Sequence, residues 1–127
     1  MSKARVESVR RAGRVLVTLH WLKALARPEH RVPEADSFRR IDRADVAVAG
    51  LLRAAVPLLV EALGRQDRAE AAARLFRALP DLVPVGTVYG KCLAPEERAG
   101  FVAGYAEQHA VWVEEFGQDA VKTAGPA

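Results

Sequence analysis

The sequence predicts an all-α fold, a single-domain four-helix bundle, and three observations support this. Half of the 127 residues are hydrophobic and 28% are charged, as in an ordinary globular domain with its own core. The apolar residues recur at helical spacing over long segments. Proline and glycine separate these segments. Residues 1–117 are expected to form one helical domain, and residues 118–127 a frayed tail.

The first helix is predicted to run from Ser2 to Arg27. Ser2 is a suitable N-cap, and Pro28 disfavours helical geometry in the residue before it. The first half is amphipathic, whereas the segment from Val15 onward is apolar nearly all round. This second half is therefore expected in the centre of the bundle or in a subunit interface. Its candidate interface residues are Trp21 and Leu25.

The second helix is predicted between Asp42, as N-cap, and Gly64, as C-terminal stop. Pro57 lies in its interior, where it removes a backbone hydrogen bond and should kink the helix near Arg53. The stretch from Val46 to Val60 carries only one charge, but it is shorter than the roughly 20 residues that a membrane span needs. We expect a core helix and no membrane partner.

Two further helices have clear start signals. Asp67, with a glutamate three residues later, has capping-box spacing before a helix that should end at Leu79. A Pro/Gly-rich loop over residues 80–94 precedes the last helix, which Pro95 should begin and Gly117 should end. Small residues give that helix a smooth side, suited to close approach by another helix or a second subunit. This side supplies the candidate interface residues Gly100, Gly104 and Val111.

Charge is distributed unevenly along the chain, although the net charge is only +3. Residues 1–43 carry eleven basic and five acidic side chains, residues 44–90 carry five of each, and residues 91–127 carry three and six. This asymmetry suits an anionic partner at the N-terminal end, or packing of a basic helix against an acidic one. A strip for binding anions or a nucleic-acid backbone is predicted at Arg10, Arg11, Arg14, Arg39, Arg40 and Arg43. The alternative is a solvated arginine face, since 15 Arg against 4 Lys looks like GC-rich coding bias.

No set of residues predicts an enzyme, a metal site or a cofactor. The segment from Gly86 to Lys91 departs from a phosphate-binding loop, because it has one residue too few between its glycines. Cys92 has no assigned catalytic base, and the three histidines lack ligand partners at helical spacing. His20 is expected to be a core histidine, and His109 a half-buried, hydrogen-bonded one. The carboxylate pairs Glu96–Glu97 and Glu114–Glu115 are expected to be solvated.

The function predicted from these features is non-catalytic binding. The apolar segments 15–26 and 46–63 exceed what one small bundle is expected to cover, so the chain should act through protein–protein contacts. These apolar segments would be covered in a homodimer or in a larger complex of which the chain is a subunit. The alternative is a helical subunit that contacts the RNA or DNA backbone through the basic strip.

A cytoplasmic location is expected. A single Cys offers no disulfide framework and is typical of a reducing compartment. Residues 1–26 resemble a secretory signal only superficially, because Glu7 weakens the basic region and His20 and Lys23 interrupt the apolar run.

Overall fold

The computed structural model describes residues 3–83 and 92–124. Helices dominate these residues, so the all-α prediction is confirmed, and strands contribute only one short parallel pair. A 3-10 turn, Ala35–Phe38, follows the first strand. The helices are α1 (Lys3–Ala26), α2 (Ala44–Arg53), α3 (Ala55–Leu63), α4 (Ala69–Leu82) and α5 (Pro95–Phe116), and the strands are β1 (Val32–Pro33) and β2 (Thr123–Ala124).

Helix α1 forms the centre of the fold, because each of the other four helices packs against it. From Val15 to Ala26 only His20 and Lys23 are partly exposed. Burial of one Val or Leu side chain contributes about 1.5–3 kcal/mol, so this half of α1 supplies a large share of the hydrophobic stabilisation. The sequence placed this half of α1 either in the centre of the bundle or in a subunit interface. In the structure it lies in the centre of the monomer.

The tightest helix pair is α1 with α5, and two glycines make it possible. A Cβ atom on Gly13 would overlap the carbonyl oxygen of Phe101, and a Cβ atom on Gly104 would overlap the carbonyl oxygen of Arg10. The two backbones are therefore in direct contact. Gly100 also faces α1, where its nearest side-chain neighbour is Val6.

The segment predicted as one second helix is divided into α2 and α3, which are bent by 45° relative to each other. The described residues thus contain five helices rather than the predicted four. Pro57 has no N–H to donate to the carbonyl of Arg53, and its ring crowds that carbonyl. Helix α2 closes with a bond from the N–H of Ala54 to the oxygen of Leu51 (3.0 Å). The N–H of Leu58 donates to the oxygen of Ala54 (3.0 Å) as α3 begins.

Other helix ends lie close to their predicted positions. Helix α5 begins at Pro95, and Gly117 follows it with φ +98°, a left-handed value that favours glycine. Helix α4 continues past Leu79 and includes Pro80, so the predicted loop starts later. The N-caps of α2 and α4 are Arg43 and Arg68, each one residue after the predicted aspartate. Residues 84–91 of the predicted loop lie outside the described residues.

Part of the predicted frayed tail is instead packed on the fold. Strand β2 pairs in parallel with β1, and the N–H of Val32 donates to the carbonyl of Lys122 (2.8 Å). Val121 is buried beside them. The tail through Ala124 therefore fastens to the connection between α1 and α2.

Substitution by alanine should change stability in opposite directions at a glycine packed against another helix and at a glycine with open space around it. Gly104→Ala should lower the free energy of unfolding by about 2 kcal/mol, because overpacking exceeds the gain in helix propensity. Gly50→Ala, at a site with nothing within 4 Å of the added Cβ, should raise it by about 0.5–1 kcal/mol. Urea unfolding measures both. A Gly104→Ala protein as stable as the wild type would contradict the backbone contact between α1 and α5.

Candidate interaction surface

The outer side of α3 exposes a row of large hydrophobic side chains. Val60 is 62% exposed and Val56 is 58% exposed. Residues 56, 60 and 63 are spaced by four and three, which places them on one side of α3, and Leu52 lies near Val56 at the end of α2, where both line one groove. We call these residues, together with the neighbouring Val83, the apolar face: Leu52, Val56, Val60, Leu63 and Val83.

The composition of α3 explains why this face is exposed. Its inner side, with Ala55, Leu58 and Ala62, is buried. Because α3 is apolar almost all round, burial of one side leaves apolar residues on the other side in water. No single described helix is long and apolar enough to cross a membrane, whereas α2 and α3 taken together meet the length and composition criteria despite their 45° bend.

A groove adjoins the apolar face between α3 and the C-terminal end of α4. Its volume is about 260 Å³. The described residues that line it are all apolar, so it offers shape and hydrophobic contact rather than reactive groups. These residues are Leu52, Ala55, Val56, Phe76, Leu79, Pro80 and Val83.

The charged residues near the apolar face lie at its edges. Both carboxylate oxygens of Glu61 accept hydrogen bonds from Arg27, each at 3.0 Å. These hydrogen bonds lower the pKa of Glu61 and raise the pKa of Arg27. Both groups are therefore ionised at neutral pH. Arg53, at the other end of the row, has no ionic partner within 4.0 Å among the described residues.

Four of the five predicted interface residues lie inside the monomer. Trp21 and Leu25 are buried in the core around α1. Gly100 and Gly104 face α1, so the smooth side of α5 serves contact between helices of one chain. Val111, 47% exposed, is the remaining residue at the surface. The sequence indicates the apolar segment 46–63 but not which of its residues are exposed, and the structure exposes those on the outer side of α3.

The arginines of the basic strip on α1 are engaged with carboxylates of the same chain. Arg10 and Arg14 both pair with Glu107 of α5, and the distance from Arg14 Nη2 to Glu107 Oε2 is 2.8 Å. The hydrogen bond from Arg10 is the main reason that the pKa of Glu107 is lowered. Arg11 lies 3.5 Å from Glu7, one turn earlier on α1. A basic helix thus packs against an acidic one, the second of the two predicted explanations for the charge asymmetry.

The remaining arginines of the strip lie elsewhere in the fold. Arg43 lies just before α2 and pairs at 2.7 Å with Asp45, which lies in the first turn of α2. Arg39 lies 4.0 Å from Asp36 on a highly exposed surface, where such a pair contributes little. Arg40 is exposed and has no ionic partner within that distance among the described residues.

Glu97 is buried, which corrects the expectation that the first carboxylate pair is solvated. Its side chain pairs with Arg5 of α1 and accepts a hydrogen bond from the N–H of Ala94 (2.8 Å). The start of α5 is thereby tied to the start of α1. Both residues of the second pair are exposed, as expected, and Glu115 also pairs with Arg74 of α4.

Buried polar groups between α1 and α5 bond to one another. The indole N–H of Trp21 donates to Nδ1 of His109, and the indole N–H of Trp112 donates to Oγ1 of Thr18, both at 2.9 Å. The hydroxyl of Tyr105 donates to the carbonyl of Pro33 (2.6 Å). Burial lowers the pKa of His109 and raises the pKa of Tyr105, so both are neutral at pH 7. His109 is half-buried and hydrogen-bonded, as its position in the sequence predicts.

The other sequence motifs add no chemistry to the described part of the chain. Within residues 3–83 and 92–124, no three His, Cys, Asp or Glu side chains come together as metal ligands would. Cys92 is exposed. The segment from Gly86 to Lys91 lies outside the described residues.

Comparison with protein-family models, curated proteins and solved structures finds no match to this chain. The apolar face and its groove are therefore interpreted from their own geometry.

The burial of His20 predicts that stability falls in acid. Burial lowers the pKa of His20 to about 4, against about 6.5 in the unfolded chain. Below pH 6.5 the unfolded state binds the proton first, so stability is lost as the pH falls from 6.5 to 4, by up to about 3 kcal/mol. Urea unfolding of the wild type and of His20→Phe across this range should show a shallower pH dependence for the variant. An imidazole assigned to His20 that titrates near 6.5 in NMR spectra of the folded protein would refute this.

Proposed function

We propose that this chain is a non-catalytic assembly protein that forms a homodimer through the apolar face. The observation that carries this proposal is the exposed row on α3 beside an apolar groove. Burial of each exposed Val or Leu would contribute about 1.5–3 kcal/mol at most, and a symmetric interface would bury each of them twice. The gain favours association over exposure to water.

A second copy of the chain is the partner we propose, because the face offers a groove at one end and an exposed apolar side chain towards the other. The groove lies at the end near Val56, and Leu63 projects about 10 Å further along α3, at 1.5 Å per residue. In an antiparallel arrangement, with the two-fold axis near the middle of α3, Leu63 of each copy would lie over the groove of the other. Such an interface closes with two chains and exposes no further copy of itself.

Nucleic-acid binding through the basic strip has weaker support. The single carboxylate of Glu107 offsets one of the two positive charges of Arg10 and Arg14, and Asp45 offsets that of Arg43. Backbone binding depends on cations that are available to phosphates. In contrast, no described residue of the chain covers the apolar face. For this reason dimerisation is the function that we propose.

The test compares two valine substitutions of similar exposure on different helices. Val60→Glu would place a charge in the proposed interface of both copies and should weaken dimerisation at least about 100-fold, equivalent to about 3 kcal/mol. Val111→Glu, on α5, should leave dimerisation unchanged. Sedimentation equilibrium over a range of protein concentrations measures the dissociation constant. Both valines are exposed, so both variants should fold, and their unfolding midpoints provide the control.

Two outcomes would contradict the proposal. A wild-type protein that stays monomeric at high micromolar concentration would show that a second copy does not occupy the face. Dissociation by Val111→Glu, but not by Val60→Glu, would place the interface on α5 instead.

A further inference from the structure

A second groove lies on α5, beside the 3-10 turn, and its floor is apolar. The groove has a volume of about 450 Å³. Four residues of its floor recur at helical spacing, so they form one side of α5 over about 10 Å. They are all small, which is why the helix surface is recessed here: Ala99, Val102, Ala103 and Ala106.

Two arginines also line this groove, Arg39 from the 3-10 turn and Arg98 from the first turn of α5. The described lining includes no acidic residue, so the groove is cationic as well as apolar. The one carboxylate within 4.0 Å of Arg39 among the described residues is the exposed Asp36. Both arginines are thus available to an external anion.

The guanidinium of Arg98 has an unpaired hydrogen-bond donor. Its Nε atom is buried and has no hydrogen-bond partner. Buried donors in folded proteins are nearly always paired, so an unpaired one on a groove-lining guanidinium is unusual. No described carboxylate lies within 4.0 Å of this guanidinium, so an anion bound to its groove side would balance its charge.

We propose that this groove binds an amphipathic carboxylate, with the carboxylate on Arg98 and Arg39 and an aliphatic chain along the floor. Guanidinium groups bind carboxylates in a planar, bidentate geometry that a lysine cannot reproduce. The length of the floor suits a medium-length chain such as that of octanoate. A cavity of this volume lies in the range of small-molecule sites. The site is independent of the proposed dimer interface, whose groove has no charged lining among the described residues.

The first experiment separates the two parts of the ligand. The full chain, labelled with ¹⁵N, is titrated in NMR experiments with octanoate below its micelle concentration, and in parallel with acetate and with octanol. Octanoate should give saturable shifts centred on residues 98–106, and acetate and octanol should bind at least tenfold more weakly. Equal binding of acetate would overturn the role of the floor, and equal binding of octanol would overturn the role of the arginines.

Substitutions then test the assigned residues. Arg98→Gln should weaken octanoate binding at least tenfold, and Ala103→Leu should block it by filling the groove. Arg65→Gln, which removes an exposed arginine outside the groove, should leave the affinity unchanged and serves as the matched control. Ala103→Leu keeps the charge, so it tests the site even where Arg98→Gln unfolds the protein. Unchanged binding in Ala103→Leu, or shifts centred on Val56 and Val83, would overturn the proposal.

Discussion

The direct contact between the backbones of α1 and α5 is the constraint on which the rest of the structure depends. Gly13 and Gly104 allow this approach because neither has a side chain between the helices. At this distance, side chains of α1 reach partners on α5 along the whole length of the pair. Three such contacts are the ion pair of Arg5 with Glu97, the shared carboxylate of Glu107, and the hydrogen bond from Trp21 to His109.

The same contact determines what remains exposed. Because α1 is surrounded by α5 and by the other helices, its apolar half is fully used within the monomer. Helix α3 packs on α1 and α4 with one side only, and its composition supplies hydrophobic residues for a second side. Most of the apolar face is thus the outer side of a short helix in which Glu61 is the one charged residue, and no described element of the chain covers it. On α5, small residues leave a recess that two arginines border.

Local signals in the sequence predicted where most helices begin and end. Which residues are buried depends on partners that are distant in the sequence, so local signals could not predict it. Pro95 and Gly117 identified the ends of α5, because their backbone preferences act within one turn. Glu97 looked like an exposed helix-start residue, but its burial depends on Arg5, which is 92 positions away in the chain. The hydrophobicity of residues 46–63 was apparent, yet a helix that is apolar all round gives no indication of which side faces water. The outward row on α3 therefore required the structure.

The order of the elements along the chain has a consequence for synthesis. Helix α1 is synthesised well before its closest neighbour, α5, is complete. Until then, the hydrophobic half of α1 has only part of its final covering, and its contact with α5 spans most of the chain. The nascent polypeptide must remain soluble with this helix incompletely covered.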